Sequence, residues 1–198
     1  MNEENKYSVS VPEGKSGAWE VKRFTVSKED ASLEMIRGMM HDGRYTPAGN
    51  YTGLFHNHSI VMSDTPDEIR DHHAPIFRSR GFVLINGLGL GVVLQAMARR
   101  EDVKSVTVVE KSGDVINLVW PHYAKMFGKK IEIVHGDAFK FTPPKGKRYG
   151  FVWHDIWDSI CANNLPEMRT LHRKYGRRAE QQGSWCRYQC ERYAGMAR

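Results

Sequence analysis

The amino-acid sequence predicts an α/β fold whose centre is a parallel sheet within residues 81–178. Residues 82–85 form an uninterrupted apolar run, which is typical of a strand buried on both faces. Three alternating glycines follow this run, and helical periodicity resumes after them. Strand and helix patterns then alternate to about residue 175, and such an alternation produces right-handed parallel crossovers.

The composition is that of an ordinary soluble globular protein of one or two domains. The chain has 198 residues, of which 40% are hydrophobic and 26% are charged. No segment approaches the roughly 20 consecutive apolar residues of a membrane span, and the first six residues do not resemble a signal peptide. We therefore expect a cytoplasmic protein without membrane contact. The three cysteines include no C-x-x-C pair, so neither a disulfide framework nor a metal site is predicted.

The N-terminal part is predicted to be a flexible arm followed by a small α+β region. Residues 1–17 are polar and show no periodicity, so we expect them to form the arm. Residues 18–80 begin with a strand and continue with a helix that starts at a Ser27 capping box. A hairpin that turns at Asn57-His58 follows this helix.

The clearest helix start in the chain is Thr65-Pro66-Asp67-Glu68, which combines a capping residue, a proline in the first turn and a carboxylate. This helix carries His72 and His73, whose spacing does not fit a helical pair of metal ligands at i, i+4. We predict surface or capping roles for both histidines.

The parallel sheet is predicted to contain four strands, at residues 82–86, 105–109, 131–135 and 149–155. Pro121 lies inside the helix after the second strand and should kink or restart it. A last helix starts at Asn164, and residues 179–198 are predicted to be a basic tail. The sheet is therefore expected to be truncated after the fourth strand. An open sheet edge favours a homodimer in which one subunit covers the other.

The glycines Gly87, Gly89 and Gly91 let the backbone turn sharply and approach a ligand, because a Cβ atom would block that approach. A dinucleotide-binding turn, G-x-G-x-x-G/A, would need a small residue where the chain has Val92. Glu110 ends the next strand and is placed to accept hydrogen bonds from both hydroxyls of a ribose. A tight strand-helix connection beside an exposed glutamate is the alternative interpretation.

Ligands of such sheets bind at the carboxyl ends of the strands. The unusual polar residues of this chain all lie at those ends, and we expect them to converge on one crevice. They are Asn86, Glu110, Asp137, Asp155 and Asp158.

These motifs resemble those of the class I S-adenosylmethionine-dependent transferases, and within them the spermidine synthase-like branch. Residues 82–91 resemble the first motif, residues 108–110 the acidic ribose motif, and residues 136–138 the motif whose Asp meets the adenine amino group. Residues 149–158 resemble the D-x-x-D stretch of aminopropyltransferases. The chain is also similar to short proteins of this type predicted in bacteriophage genomes.

The resemblance implies a Rossmann-like class I methyltransferase sheet that forms a nucleoside-binding domain in residues 81–178. It also implies S-adenosylmethionine, or its decarboxylated form, as the cofactor. The implied cofactor-binding residues are Asn86, Gly87, Gly89, Gly91, Glu110, Asp137 and Ala138. The chain departs from the family in having Ser159 in place of a proline after D-x-x-D, and in lacking the three strands that usually follow the fourth.

The chemistry of a sulfonium cofactor assigns roles to two carboxylates. An amine acceptor arrives protonated, so a base must remove the proton, and Asp155 is the candidate. Asp158 would orient the cation, although it could instead cap a following helix. Trp157 could provide a cation–π face or could simply pack.

Three functions remain open on the sequence alone. The first is an aminopropyl-type transfer to a small-molecule amine. The second is methylation of a nucleic acid or another anionic acceptor, which the formal charge of +6 and the basic tail would attract. The third is cofactor binding without transferase activity.

Overall fold

The computed structural model of the chain describes residues 7–40 and 45–196, which contain two β-sheets. The first sheet is antiparallel, and its strands are neighbours in chain order. They are β1 (Gly14–Ser16), β2 (Trp19–Val26), β3 (Gly49–His56) and β4 (Ser59–Ser63). Helix α1 (Lys28–Met40) connects β2 to β3, and α2 (Pro66–Arg78) leads into the second sheet.

The second sheet is parallel and has helices between its strands. Its elements are β5 (Gly81–Asn86), α3 (Val92–Ala98), β6 (Val103–Glu110), α4 (Gly113–Phe127), β7 (Ile131–His135), β8 (Tyr149–His154), α5 (Leu165–Tyr175), β9 (Ala179–Ser184) and α6 (Arg187–Met196). The strand order is β7-β6-β5-β8-β9, which corresponds to the order 3-2-1-4-5 of a Rossmann-like sheet. The predicted α/β class is therefore confirmed.

The predicted end of the sheet at the fourth strand is wrong, because β9 adds a fifth parallel strand. β9 pairs with β8 from Tyr149↔Ala179 to His154↔Ser184. Its sequence, Ala-Glu-Gln-Gln-Gly-Ser, carries no apolar pattern, and an edge strand does not need one when one side of it faces solvent. The predicted basic tail is therefore a strand followed by α6 through residue 196.

The predicted flexible arm is also corrected where the structure describes it, from residue 7 onward. Val9 and Val11 are buried, and the backbone N–H of Val9 donates to Asp64 Oδ2 at 3.0 Å. Strand β1 pairs with β2. The alternation of Val9 and Val11 is the apolar signal that the polar composition of this segment concealed. Residues 1–6 lie outside the described part of the chain.

Several local predictions hold. The Ser27 hydroxyl accepts a hydrogen bond from the Asp30 N–H at 3.0 Å, as in a capping box. The hairpin turns at Asn57 and His58, which both have positive φ, and α2 starts at Pro66. At Pro121 the helix does not restart, because α4 is a single helix from Gly113 to Phe127, and the kink stays a prediction.

The two sheets are joined by specific side-chain contacts as well as by α2. The hydroxyl of Ser16, the last residue of β1, donates to Asp114 Oδ1 in the first turn of α4 at 2.6 Å. Met62 of β4 lies over the glycine turn, and its sulfur accepts a hydrogen bond from the Leu90 N–H at 3.3 Å. The antiparallel sheet is thus held over the carboxyl ends of the parallel strands.

Candidate active site

A cavity of about 540 Å³ lies between the two sheets, which is a volume typical of small-molecule sites. Residues at or after the carboxyl ends of β5, β6, β7, β8 and β9 form one side of it, and β2, β3, β4 and α2 form the other. Seven predicted site residues line the cavity: Gly87, Gly89, Glu110, Asp137, Ala138, Asp155 and Asp158. The other two predicted residues, Asn86 and Gly91, are not among the lining residues.

Gly87 and Gly89 have positive φ values of 99° and 50°. A Cβ atom on Gly87 would collide with the backbone carbonyl of Asp155, and one on Gly89 would collide with the Met62 sulfur. The turn needs glycine at these positions because the end of β8 and the first sheet pack directly against it. The close approach predicted for a ligand is thus also made by protein atoms.

Gly91 and Asn86 lie behind the wall of the cavity. A Cβ atom on Gly91 would collide with the Tyr123 ring, whose hydroxyl donates to the Leu90 carbonyl at 2.7 Å. Asn86 is fully buried, and its amide nitrogen lies 2.8 Å from His154 Nδ1. Both residues support the site from beneath and do not present a surface to a ligand.

Glu110 and Asp137 present carboxylates to the part of the cavity beside the glycine turn. The two oxygens of Glu110 accept hydrogen bonds from the backbone N–H groups of Leu88 and Ser112, at 2.8 and 2.7 Å. Asp137 Oδ1 accepts one from the Phe139 N–H at 2.8 Å. Because a carboxylate has about four acceptor positions, both groups keep acceptor capacity while their orientation is fixed.

Asp155 is a largely buried carboxyl group whose pKa is strongly raised. Its side chain is 15% exposed, and its Oδ2 lies 3.8 Å from Nε2 of the buried His72. Burial raises the pKa of Asp155 to about 7; the Trp153 indole opposes this shift, and the charges of Glu68 and Asp71 add to it. Burial lowers the pKa of His72 to about 4. Near pH 7 a neutral imidazole therefore faces a partly ionised carboxyl group.

The surface or capping role predicted for His72 is wrong, whereas His73 is exposed. His72 shares the buried face of α2 with Ile69 and Ile76. This i, i+3, i+7 spacing is visible in the sequence and is the signal that would have placed His72 inward.

Asp158 is exposed at the edge of the cavity and makes no hydrogen bond or ion pair with the described residues. The helical segments after it have Cys161 and Asn164 at their N-caps, so Asp158 caps neither. Trp157 also lines the cavity, packs against the core cluster of α5 and donates its indole N–H to Glu167 Oε2 at 2.8 Å. Trp157 therefore packs against the core and has a fixed orientation beside the cavity.

Further aromatic residues of the cavity come from segments that sequence reasoning did not connect with the site. Trp19 of β2 and His56 of β3 are paired in register and stack with ring centroids 4.5 Å apart. Trp185 follows β9 and also lines the cavity. No local motif marks these residues, since they reach the cavity only through the packing of one sheet on the other.

The cavity is acidic although the chain has a formal charge of +6. Lys111 is the only lysine or arginine among the described residues that line it. Six carboxylates line it: Glu68, Glu110, Asp137, Asp155, Asp158 and Glu167. Such a concentration of one sign of charge favours a cationic ligand.

Two further observations concern the part of the chain that the structure describes. It contains no group of three or more His, Cys, Asp or Glu side chains arranged to hold a metal ion. Nor do these residues include a helix with the length and apolar character of a membrane span.

No protein-family model and no curated protein matches this sequence. Solved structures to which this chain is similar include spermidine synthase from Thermotoga maritima, with 18% identity and a TM-score of 0.46 over 81% of this chain and 52% of that chain. Another is the CcbJ methyltransferase from Streptomyces caelestis, with 22% identity and a TM-score of 0.43 over 57% of this chain and 43% of that chain. A third is the 23S rRNA methyltransferase ErmE, with 17% identity and a TM-score of 0.43 over 59% of this chain and 42% of that chain. The chain spans about half the length of these proteins or less.

Proposed function

We propose that the protein is an S-adenosylmethionine-dependent transferase that acts on a small-molecule amine, with an aminopropyl-type transfer like that of spermidine synthase. The observation that carries the proposal is Asp155, a largely buried carboxyl group at the end of β8 with a pKa of about 7. General bases work best when their pKa lies near the operating pH.

Asp155 would receive the proton that an ammonium group must lose before its nitrogen can attack. The neutral His72 beside it offers an N–H or a ring nitrogen, and it does not hold the carboxylate in an ion pair. Asp158, which has no partner among the described residues, would attract the ammonium group at the edge of the cavity.

The residues around the glycine turn fit an adenosyl group. Glu110 supplies carboxylate oxygens for the ribose hydroxyls, and Asp137 and Ala138 line the segment where an adenine would lie. When bound, the cofactor supplies a sulfonium that activates its attached carbons. The protein then mainly has to hold the acceptor in line and receive its proton.

The charge of the cavity supports an amine acceptor over a nucleic acid. The acidic groups of the cavity would repel phosphates, while they favour an ammonium group and a donor that carries no carboxylate. The decarboxylated form of S-adenosylmethionine meets the second condition.

The test is to incubate the protein with either form of the donor and a set of diamines, and to identify the nucleoside product. We expect methylthioadenosine, which shows that the carbon chain was transferred. Asp155→Asn should abolish turnover and retain nucleoside binding, whereas Asp102→Asn, at an exposed carboxyl group outside the cavity, should remain active.

Other products would contradict the proposal. Adenosylhomocysteine formed with a polynucleotide acceptor, together with polynucleotide binding that weakens steeply with salt, would indicate a nucleic-acid methyltransferase. Nucleoside binding without turnover of any amine, nucleic acid or protein would indicate a binding protein.

A further inference from the structure

A chain of hydrogen bonds begins at a buried contact between β5, which ends just before the glycine turn, and β8, which ends just before Asp155. Asn86 is the last residue of β5, His154 is the last residue of β8, and the two are paired in register. Both are 0% exposed, and the Asn86 amide nitrogen lies 2.8 Å from His154 Nδ1. A side-chain hydrogen bond therefore joins the two residues that immediately precede Gly87 and Asp155.

The backbone contacts above this pair show what it holds together. The Asp155 N–H donates to the Asn86 carbonyl at 2.8 Å. The Asp155 carbonyl occupies the space that a Cβ atom on Gly87 would need. A small rotation of either strand end would therefore move the glycine turn relative to the carboxyl group of Asp155.

The chain continues into β9, and its partners define the tautomer of His154. Gln182 of β9 donates its amide Nε2–H to the His172 carbonyl at 2.9 Å, which leaves its Oε1 as an acceptor 3.3 Å from His154 Nε2. His154 Nε2 therefore carries the hydrogen, and Nδ1 accepts from Asn86. A protonated His154 ring would also carry a hydrogen at Nδ1, where it would face the donating amide nitrogen of Asn86.

The surroundings also favour the neutral ring. Burial lowers the pKa of His154 to about 3, and the titratable groups near it are His172, Lys174 and Tyr175 of α5. His172 extends the network: it accepts from Arg187 of α6 at 3.2 Å, so its Nε2–H donates to Ser184 Oγ at 2.9 Å. Strand β9 and helix α6, which the sequence did not predict, are thus connected by hydrogen bonds to His154 beneath the cavity.

We propose that His154 is a positioning residue whose hydrogen bonds to Asn86 and Gln182 fix Asp155 relative to the glycine turn. Asn86 then acts through the turn and does not bind the cofactor itself. This inference rests on the proposed function for its catalytic consequence, whereas the geometry it describes can be measured without any reaction.

The test compares three variants: His154→Phe, Asn86→Leu/His154→Phe and the control Tyr149→Phe, which alters a buried polar ring at the other end of β8. His154→Phe leaves the Asn86 amide and Gln182 Oε1 without partners, so it should weaken methylthioadenosine binding in calorimetry at least 10-fold. It should lower turnover about 100-fold, as misplacements near 1 Å do. The double variant replaces both partners by apolar groups and should lose no more than the single variant. Tyr149→Phe should keep wild-type values.

Two spectroscopic measurements separate this inference from the proposed function. In ¹⁵N NMR, His154 should show the Nε2–H tautomer and should not titrate between pH 5 and 8. In ¹³C NMR, the carboxyl titration of Asp155 should change in His154→Phe and stay unchanged in Tyr149→Phe. A His154 that titrates in this range, or a His154→Phe variant with the wild-type Asp155 titration, would overturn the inference. A wild-type protein that binds no nucleoside would overturn the proposed function alone.

Discussion

Asp155 and His72 illustrate how burial, as the main cause of two opposite pKa shifts, can produce a pair of neutral groups that look like an ion pair. Their side-chain atoms are 3.8 Å apart, yet burial raises the pKa of the acid to about 7 and lowers that of the base to about 4. Between these values the protonated acid faces a neutral imidazole. The carboxylate that forms above pH 7 is therefore not neutralised by a buried cation and remains basic.

The charge of Asp71 offers a test of this environment. Burial is the main cause of the raised pKa of Asp155, and the negative charge of Asp71 raises it further. Asp71→Asn removes that charge, so the pKa of Asp155 should fall, and the acid limb of the kcat/KM profile for the proposed amine acceptor should move to lower pH by less than about one pH unit. Asp67→Asn, which changes a carboxyl group on the same helix that does not contribute to the raised pKa of Asp155, is the matched control. An unchanged limb in Asp71→Asn would exclude this electrostatic coupling.

At the scale of elements, the glycine turn is required by packing as well as by backbone conformation. Gly87 and Gly146 both have positive φ, but a Cβ atom on Gly87 would collide with the Asp155 carbonyl, while nothing lies within 4 Å of one on Gly146. Gly146→Ala should therefore cost only the conformational strain, about 1 kcal/mol. Gly87→Ala should cost roughly 3 kcal/mol or more, because the ends of β5 and β8 must separate. Urea unfolding measures both costs, and equal losses would show that strain alone explains the requirement.

The elements that the sequence predicted are those whose own residues carry the signal. The run before Gly87 and the capping box at Ser27 are local patterns, and both formed as expected. Strand β9 has no apolar pattern and exists because β8 offers it a free edge. Trp19 and His56 could not be assigned to the site, because their position depends on how one sheet packs on the other.

At the scale of the whole molecule, charge is separated between the cavity and the outer surface. The predicted crevice followed from one rule, that ligand-side residues lie at the carboxyl ends of parallel strands, and Glu110, Asp137, Asp155 and Asp158 do line one cavity. The formal charge of +6 suggested an anionic partner, but net charge does not report the sign inside a cavity. The sequence alone did not show that Glu68 of α2 lines the cavity, because this position depends on how α2 packs in the fold.

Three buried titratable groups should give the protein an unusual dependence of stability on pH. Asp155 has a raised folded pKa, so it contributes stability below pH 4 that is lost as the pH rises to about 7. His72 and His154 have lowered folded pKa values, so they contribute stability above pH 6.5 that is lost as the pH falls toward 4 and 3. Between about pH 4.5 and 6, Asp155 therefore opposes the two histidines.

Asp155→Asn should remove this opposition. In that range the unfolded chain binds a proton at each of the two histidines, while the folded chain binds one only at Asp155. Unfolding of the wild type therefore takes up about one proton at these groups, and this number sets the slope of the unfolding free energy against pH. Unfolding of the variant should take up about two protons, so its unfolding free energy should rise with pH more steeply than that of the wild type, by roughly 1.4 kcal/mol per pH unit. Urea unfolding at half-unit intervals measures the slopes, with Asp158→Asn, at an exposed carboxyl group of the same loop, as the matched control. Parallel curves for Asp155→Asn and the wild type would mean that Asp155 is already ionised in the folded protein at pH 5, and the assignment of Asp155 as a base poised near pH 7 would then be wrong.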